Sequence, residues 1–112
     1  MPQPLTSCAS VVAWADGLQR QWGETDPFAE DPAKLETLAA FCEAVGKDPD
    51  ALVAFCFLRK RATGERFTSK ERRETLLQEL KKFESAAGTG VEARRRRSHV
   101  VSFLSHNGVS IY

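Results

Sequence analysis

The sequence contains no long apolar stretch. Its longest uninterrupted run is ALVAFCFL, Ala51 to Leu58, which is far shorter than the ~20 residues that a membrane-spanning helix needs. The amino-terminal segment MPQPLTSCASVV has no basic region ahead of its apolar positions, which is unlike a secretory signal. We therefore predict a cytoplasmic protein that has no membrane partner.

Motifs of catalysis and metal binding are also missing. The sequence has no HExxH, GxSxG or CxxC pattern, and the short GTG at Gly88–Gly90 is better explained as a turn between helices than as a phosphate loop. Cys8, Cys42 and Cys56 are 34 and 14 positions apart, which fits no zinc spacing, so we interpret them as small buried apolar residues. We predict no catalytic residue, no metal, no cofactor and no small-molecule substrate.

The net charge of only +1 conceals a division between the two halves. Residues 1–50 hold nine acids and three bases, a net charge of −6. Residues 51–112 hold six acids and thirteen bases, a net charge of +7. Such asymmetry indicates that the second half meets a nucleic acid or another acidic partner. It is also compatible with attraction between the halves, or between two copies of the chain.

The residue composition predicts an all-α fold, a compact bundle of four to five short helices. Ala, Leu, Glu, Lys and Arg are frequent, and the alternating pattern of exposed strands is rare. Apolar residues recur every three or four positions from Ser7 to Trp22, which predicts the first helix. The segment GETDPFAEDP then reads as a linker, because the residue before a proline disfavours helix.

Capping signals place the other four helices. Asp31-Pro32 and Asp48-Pro49 each predict a helix start, with the aspartate as cap and the proline in the first position. The Thr-x-x-Glu spacing of a capping box begins two more, at Thr68 and Thr89. The helix after Pro49 is expected to include the apolar run as far as Leu58; a buried strand is the alternative. The predicted ends and turns are at Gly46, Gly64, Gly88 and Gly108.

The last predicted helix carries a row of hydrogen-bond donors. Successive spacings of four, three and four residues put four of them on one helical stripe opposite the apolar side, namely Arg95, His99, Ser102 and His106, with Ser98 beside them. Such a face suits phosphates, and arginine also reaches guanine in a major groove. Arg94 lies near this stripe, whereas Arg96 and Arg97 fall beside the core. We predict DNA contacts from Arg94, Arg95, His99 and Ser102.

A second basic cluster surrounds the turn between the third and fourth predicted helices. Its candidate DNA-binding residues are Arg59, Arg61 and Arg66, and Lys60, Lys70, Arg72 and Arg73 lie nearby in the sequence. Two basic clusters in one half favour an extended acidic partner, and we predict double-stranded DNA bound in a salt-sensitive manner.

Two segments resemble a known family. LAAFCEAVGKDPDALVAF, Leu38 to Phe55, and RSHVVSFLSHNGVSI, Arg97 to Ile111, resemble the helix-turn-helix and the last helix of the SAM-like core-binding domain of tyrosine recombinases and of phage and archaeal integrases. The resemblance covers most of Pro32 to Ile111. The length of 112 residues predicts one domain over residues 1–112, with a helix and linker in 1–30, and the resemblance implies a core-binding-like bundle in 31–111.

In that family the core-binding domain forms half of a clamp around duplex DNA, and a separate domain performs catalysis. The resemblance therefore implies a non-catalytic DNA-binding domain from a context of DNA integration or recombination. Nothing in the sequence matches the catalytic half, and Tyr112 is not assigned the role of its nucleophile. Glu36 and Glu43 on the second predicted helix depart from a DNA-facing helix. The alternative function is a helical protein-interaction or self-association module without a nucleic-acid role.

Overall fold

Six helices and one two-stranded sheet make up the residues that this computed structural model describes, which are 5–23, 26–86, 88 and 90–110. The fold is mostly helical. A short 3₁₀ turn at Leu5–Ser7 precedes the first helix. The elements in chain order are α1 (Ala9–Trp22), α2 (Pro27–Glu30), α3 (Ala33–Val45), α4 (Pro49–Phe55), β1 (Phe57–Arg59), β2 (Arg66–Thr68), α5 (Lys70–Ala86) and α6 (Val91–His106).

The two Asp-Pro signals do begin helices. Asp48 Oδ1 accepts a hydrogen bond from the Ala51 backbone N–H at 2.7 Å, and Pro49 is the first residue of α4. Asp31 Oδ1 accepts one from the Ala33 N–H at 3.2 Å, but α3 begins one residue later than predicted, with Pro32 rather than Asp31 as its N-cap. Both aspartates satisfy amide groups that have no partner inside the helix.

The predicted linker between α1 and α3 contains a helix. Asp26 Oδ1 accepts hydrogen bonds from the backbone N–H groups of Phe28 and Ala29, both at 3.2 Å, and Pro27 begins α2. The Phe28 ring packs edge-on against Trp14 at 5.3 Å between ring centroids. The linker prediction is therefore wrong at this position, because the third Asp-Pro pair acts as a helix start like the other two.

A β-hairpin follows α4 where the sequence predicted more helix. Strand β1 pairs antiparallel with β2, and Leu58 lies opposite Phe67. The prediction of a helix as far as Leu58 is therefore wrong, although the fold as a whole is mostly helical, as predicted. A three-residue strand leaves too little alternation to be recognised, and it forms only because a partner strand returns from the turn. Gly64 lies in that turn with a left-handed φ of 70°, which favours glycine.

The starts of the last two helices differ from the capping boxes. Thr68 belongs to β2, and the neighbouring Ser69 caps α5 by accepting a hydrogen bond from the Arg72 N–H at 3.3 Å. The Thr89 cap lies outside the described residues. Helix α6 starts at Val91 after Gly90 and ends at His106, close to the predicted end at Gly108.

Helix α6 lies at the centre of the bundle and packs against α1, α3 and α5. One hydrophobic cluster joins these helices to α4, so α1 shares the core of the rest. Its fully buried large side chains include Trp14, Phe41, Phe103, Leu38, Leu52, Leu76, Leu80 and Leu104. All three cysteines are buried and free, as predicted. Among the described helices, none is long and apolar enough to cross a bilayer.

Candidate nucleic-acid interface

The four arginines in the first two turns of α6 have two kinds of surroundings. The Arg96 guanidinium lies over the Phe83 ring of α5 at 4.8 Å, and Arg97 Nη1 lies 3.8 Å from Glu84 Oε2. Both are half-buried beside the core, which confirms their predicted position. Arg94 and Arg95 are exposed, and among the described residues neither guanidinium has an ion-pair or hydrogen-bond partner.

The predicted donor stripe faces the bundle over most of its length. Ser102 Oγ accepts a hydrogen bond from the indole N–H of Trp14 on α1 at 3.0 Å. His106 Nδ1 lies 2.9 Å from the Ser102 carbonyl, to which it donates. His99 Nε2 lies 3.8 Å from Asp31 Oδ2, and the His99 side chain is only 13% exposed. The prediction that the side chains of His99, Ser102 and His106 lie on the outward side of α6 is therefore wrong; we call these three residues the inner row.

Gly17 explains why the inner row fits against α1. A methyl group on Gly17 would overlap the His106 ring, so the absence of a side chain lets the two helices approach closely. Glycine inside a helix is destabilising relative to alanine, and Gly17 lies inside α1. Its position against His106 shows instead that the glycine makes room for an aromatic side chain of α6.

Burial makes His99 a poor cation for phosphate binding. Desolvation lowers the pKa of His99 below its ordinary value of 6.5, and the nearby cations Lys34 and Arg95 lower it further. Asp31 and Glu92 act in the opposite direction and raise the pKa, but less than burial lowers it. At neutral pH the imidazole is therefore neutral, and its ring lies between α6 and the start of α3.

The exposed side of α6 carries a different set of residues, Arg94, Ser98 and Ser105, which we call the outer row. Arg95 is exposed at the border between the outer and inner rows. The half-buried Val101 lies between Ser98 and Ser105 on the same side. A shallow groove between α5 and α6 is lined by Glu84, Arg94, Arg97, Ser98 and Val101.

The hairpin presents the second group of predicted site residues. Arg59 and Arg66 are directly opposite each other across β1 and β2. Arg59 Nη1 donates a hydrogen bond to the Gly64 carbonyl at 3.1 Å, and the Arg66 guanidinium stacks 3.7 Å from the centre of the Phe57 ring. Arg61 lies in the exposed turn without a side-chain partner in the described part of the chain. All three arginines are exposed, so their charges are available to a ligand.

Two other arginines near the hairpin are held by the fold. Arg72 Nη1 donates to the Phe55 carbonyl at 3.1 Å, and its guanidinium lies over the Phe55 ring. Arg73 Nη1 donates to the Ser110 carbonyl at 3.1 Å and is only partly exposed. These two arginines fix the chain after α6 and the end of α4 to α5, which leaves less of their charge for a ligand.

The two arginine groups lie at opposite ends of α6. Arg94 and Arg95 are in its first turns, whereas Gly108, two residues after its end, faces the Phe57 ring of the hairpin. The structure does not merge the sequence-predicted residues into one compact patch. They form two separate basic groups connected by the length of α6.

No protein-family model matches this chain, and neither a curated protein nor a solved structure matches it.

The cysteine thiols are poorly suited to nucleophilic chemistry. Burial raises the pKa of Cys42 to about 12 and raises that of Cys56, whose Sγ donates to the Leu52 carbonyl. A thiol that stays protonated is a weak nucleophile and a weak metal ligand. Within the described ranges, no group of three or more His, Cys, Asp or Glu side chains is arranged to hold a metal ion. Tyr112 lies outside those ranges.

Sequence reasoning missed Ser105 and the direction in which α6 faces. With Val101 included, the outer side of α6 has the same spacing of four, three and four residues as the predicted stripe of Arg95, His99, Ser102 and His106, so spacing alone does not separate them. One signal was present in the sequence. A buried tryptophan needs an acceptor for its N–H, and the serines and histidines of α6 are candidate acceptors.

Proposed function

We propose that this domain binds double-stranded DNA without catalysing a reaction, in the manner of the core-binding half of a tyrosine recombinase. Arg94 and Arg95 on α6 and Arg59, Arg61 and Arg66 on the hairpin would contact phosphates. His99 and Ser102 would support α6 from behind and would not touch the DNA.

The observation that carries this proposal is the exposure of Arg94 and Arg95 at the positive end of a helix. The macrodipole of α6 disfavours cations near its first turn, and four consecutive arginines also repel one another. Arg96 and Arg97 are compensated by Phe83 and Glu84, but Arg94 and Arg95 gain nothing comparable from the described residues. An external anion would supply the missing compensation, and phosphate suits an arginine at a helix start.

The hairpin supports the same class of ligand. Like charges directly opposite each other across two strands are destabilising, yet Arg59 and Arg66 form such a pair. Arg61 adds a third exposed cation at the turn. Internal contacts to Gly64 and Phe57 hold Arg59 and Arg66 in place but leave their charge un-neutralised.

The position of the acids is consistent with a DNA surface on α6 and the hairpin. Glu36 and Glu43 are exposed on α3, where they would repel phosphates. From Ala93 to Ser110 the chain has no acidic residue. Glu92 is exposed in the first turn of α6, and Glu65 in the hairpin loop pairs with Lys60 at 3.7 Å. DNA contact through α3, as expected of an early helix in some recombinases, is therefore not part of the proposal.

The recombinase context rests on the resembling segments. Leu38 to Phe55 folds as the end of α3, a turn at Gly46 and the whole of α4, which is a helix-turn-helix. The segment that starts at Arg97 provides most of α6. These elements support the likeness in arrangement. The domain would then bind the DNA while a separate domain performs strand exchange.

Fluorescence anisotropy of a labelled duplex tests the proposal. We expect weak binding at low salt that disappears at moderate salt, and we expect Arg94→Ala/Arg95→Ala to reduce it at least tenfold because two phosphate contacts are lost. Lys81→Ala/Lys82→Ala on exposed α5 positions removes the same charge and serves as the matched control, with a much smaller loss. Absence of wild-type binding at low salt would contradict the proposal.

Self-association is the alternative proposal. The exposed Glu36 and Glu43 on α3 of one copy would meet the exposed Arg94 and Arg95 on α6 of another. Light scattering at low and high salt separates the two proposals. A dimer that dissociates as salt rises would support self-association, whereas a monomer at every salt concentration would exclude charge-driven pairing.

A further inference from the structure

The two basic groups are too far apart to hold one small anion. Arg95 and Gly108 are thirteen positions apart, and α6 covers most of that interval. At 1.5 Å per helical residue the distance along the axis is about 20 Å. Gly108 faces Phe57 at the base of the hairpin, and Arg66 stacks on the same ring, so the hairpin group lies beyond the far end of α6.

The surface between the groups has no acidic residue of α6. The outer row continues from Arg94 through Ser98 to Ser105, and all three are exposed. The nearest acid across the groove, Glu84 on α5, is paired with Arg97 at 3.8 Å. Serine hydroxyl groups along this line are able to donate to phosphate oxygens. A polyanion lying along α6 would therefore meet cations at both ends and neutral donors between them.

We propose that the α6 arginines and the hairpin arginines are two spaced anchors for one stiff double helix, which must extend at least about six base pairs to reach both. This inference rests on the proposed DNA binding. Base pairs rise 3.4 Å each, so 20 Å corresponds to about six of them. Once one anchor is bound, a stiff duplex holds its distant phosphates near the second anchor, which makes the second contact intramolecular.

The inference distinguishes classes of ligand. A mononucleotide or free phosphate fills one anchor and gains nothing from the other. A flexible single strand is long enough to reach both, but it loses conformational entropy when it is held straight over 20 Å. A duplex pays little of this cost, because its persistence length far exceeds the distance between the anchors.

DNA stem-loops with one fixed loop and stems of four or sixteen base pairs test the spacing. The short stem is about 14 Å long and the long stem about 54 Å. Fluorescence anisotropy at low salt measures the affinity of each variant for each stem, which is then divided by the wild-type affinity for the same stem. The long stem offers more binding positions, but this factor is the same for variant and wild type and cancels in the ratio. Arg94→Ala/Arg95→Ala probes the α6 anchor, and Arg61→Ala/Arg66→Ala probes the hairpin anchor.

We expect the α6 variant to bind both stems about tenfold more weakly than the wild type. We expect the hairpin variant to bind the long stem about tenfold more weakly, but the short stem less than twofold more weakly. Arg61→Lys/Arg66→Lys retains the charge and should bind nearly as the wild type does. The two-anchor inference would be overturned if the hairpin alanine variant lost equal affinity for both stems, if it lost no affinity for the long stem, or if the lysine variant lost as much affinity as the alanine variant. Absence of wild-type binding to either stem would overturn the proposed function as well.

Discussion

Two polar rows run along α6 and have opposite surroundings. The outer row, Arg94, Ser98 and Ser105, is exposed. The inner row, His99, Ser102 and His106, contacts α1 and the start of α3 through Trp14, Gly17 and Asp31. The two rows have similar spacing and similar chemistry, so a polar stripe on a helix does not by itself indicate a binding surface. What distinguishes them is whether another element needs their hydrogen bonds.

Removing the Ser102 hydroxyl should have the largest effect on stability. Ser102→Ala leaves the N–H of Trp14, which is fully buried, without its acceptor, and an unsatisfied buried donor costs about 2 kcal/mol. Ser98→Ala in the outer row is the matched control and should change the free energy of unfolding by less than about 0.5 kcal/mol. Urea unfolding measures both. A larger loss from Ser98→Ala would reverse the assignment of the two rows.

The contact between Gly17 and His106 should give the next effect. Gly17→Ala forces the His106 ring to move, at a cost of about 1–3 kcal/mol, while alanine returns about 1 kcal/mol of helix propensity. We expect a net loss of about 1 kcal/mol. In a His106→Ala background the same substitution should become neutral or stabilising. If Gly17→Ala costs equally in both backgrounds, the two residues are not in contact.

The inner row should also respond to pH through His99. Burial lowers its pKa in the folded state, so below pH 6.5 the unfolded chain binds a proton that the folded chain does not. The contribution of His99 to stability is therefore fully present above pH 6.5. It is lost as the pH falls from 6.5 to the lowered pKa of the folded state, and the loss stops below that pKa. The pKa of Asp50 is also lowered, through hydrogen bonds from Ser10. Its contribution to stability is lost only at more acidic pH, below about 3.8.

Urea unfolding between pH 7.5 and pH 5 isolates the histidine contribution. The free energy of unfolding of the wild type should decline across this range, and His99→Gln should reduce the decline. The outer-row variant Ser105→Ala is the control and should decline as the wild type does. An unchanged slope in His99→Gln would show that this histidine is not the group that senses acid.

The outer arginines should show the smallest effect on stability, and in the opposite direction. Arg94→Ala/Arg95→Ala removes two cations from the positive end of α6, which should stabilise the fold by a few tenths of a kcal/mol at low salt. The gain should fade as salt screens the charges. Thermal unfolding at two salt concentrations detects it. A clear destabilisation would mean that these arginines belong to the packing of the fold.

The helices could largely be predicted from the sequence because their signals are local. Asp48 and Pro49, and the left-handed glycine at Gly46, act within one turn of chain. The hairpin could not be predicted from the sequence, since β1 exists only through pairing with a strand nine residues away. The side of α6 that faces solvent could not be predicted either, because the hydrogen bond from Trp14 to Ser102 joins residues 88 positions apart.

The candidate site was predictable to a similar degree. Helical spacing separated Arg96 and Arg97 beside the core from the exposed Arg94 and Arg95, because the apolar side of α6 is clear in the sequence. Spacing also assigned His99 and Ser102 to the exposed side, because it does not show how wide the contact with α1 and α3 is. The hairpin arginines were recognised as a basic cluster in the sequence, but the sequence did not show that Arg59 and Arg66 lie opposite each other on paired strands.

The most direct test of the central claim is the dependence of duplex affinity on salt. Each phosphate contact adds about 0.9 to the slope of log affinity against log salt concentration. We predict that Arg94→Ala/Arg95→Ala reduces the magnitude of that slope by about two, and that His99→Gln leaves it unchanged. A slope that falls with His99→Gln and not with the arginine variant would contradict the account, because the inner row would then be the DNA-binding surface.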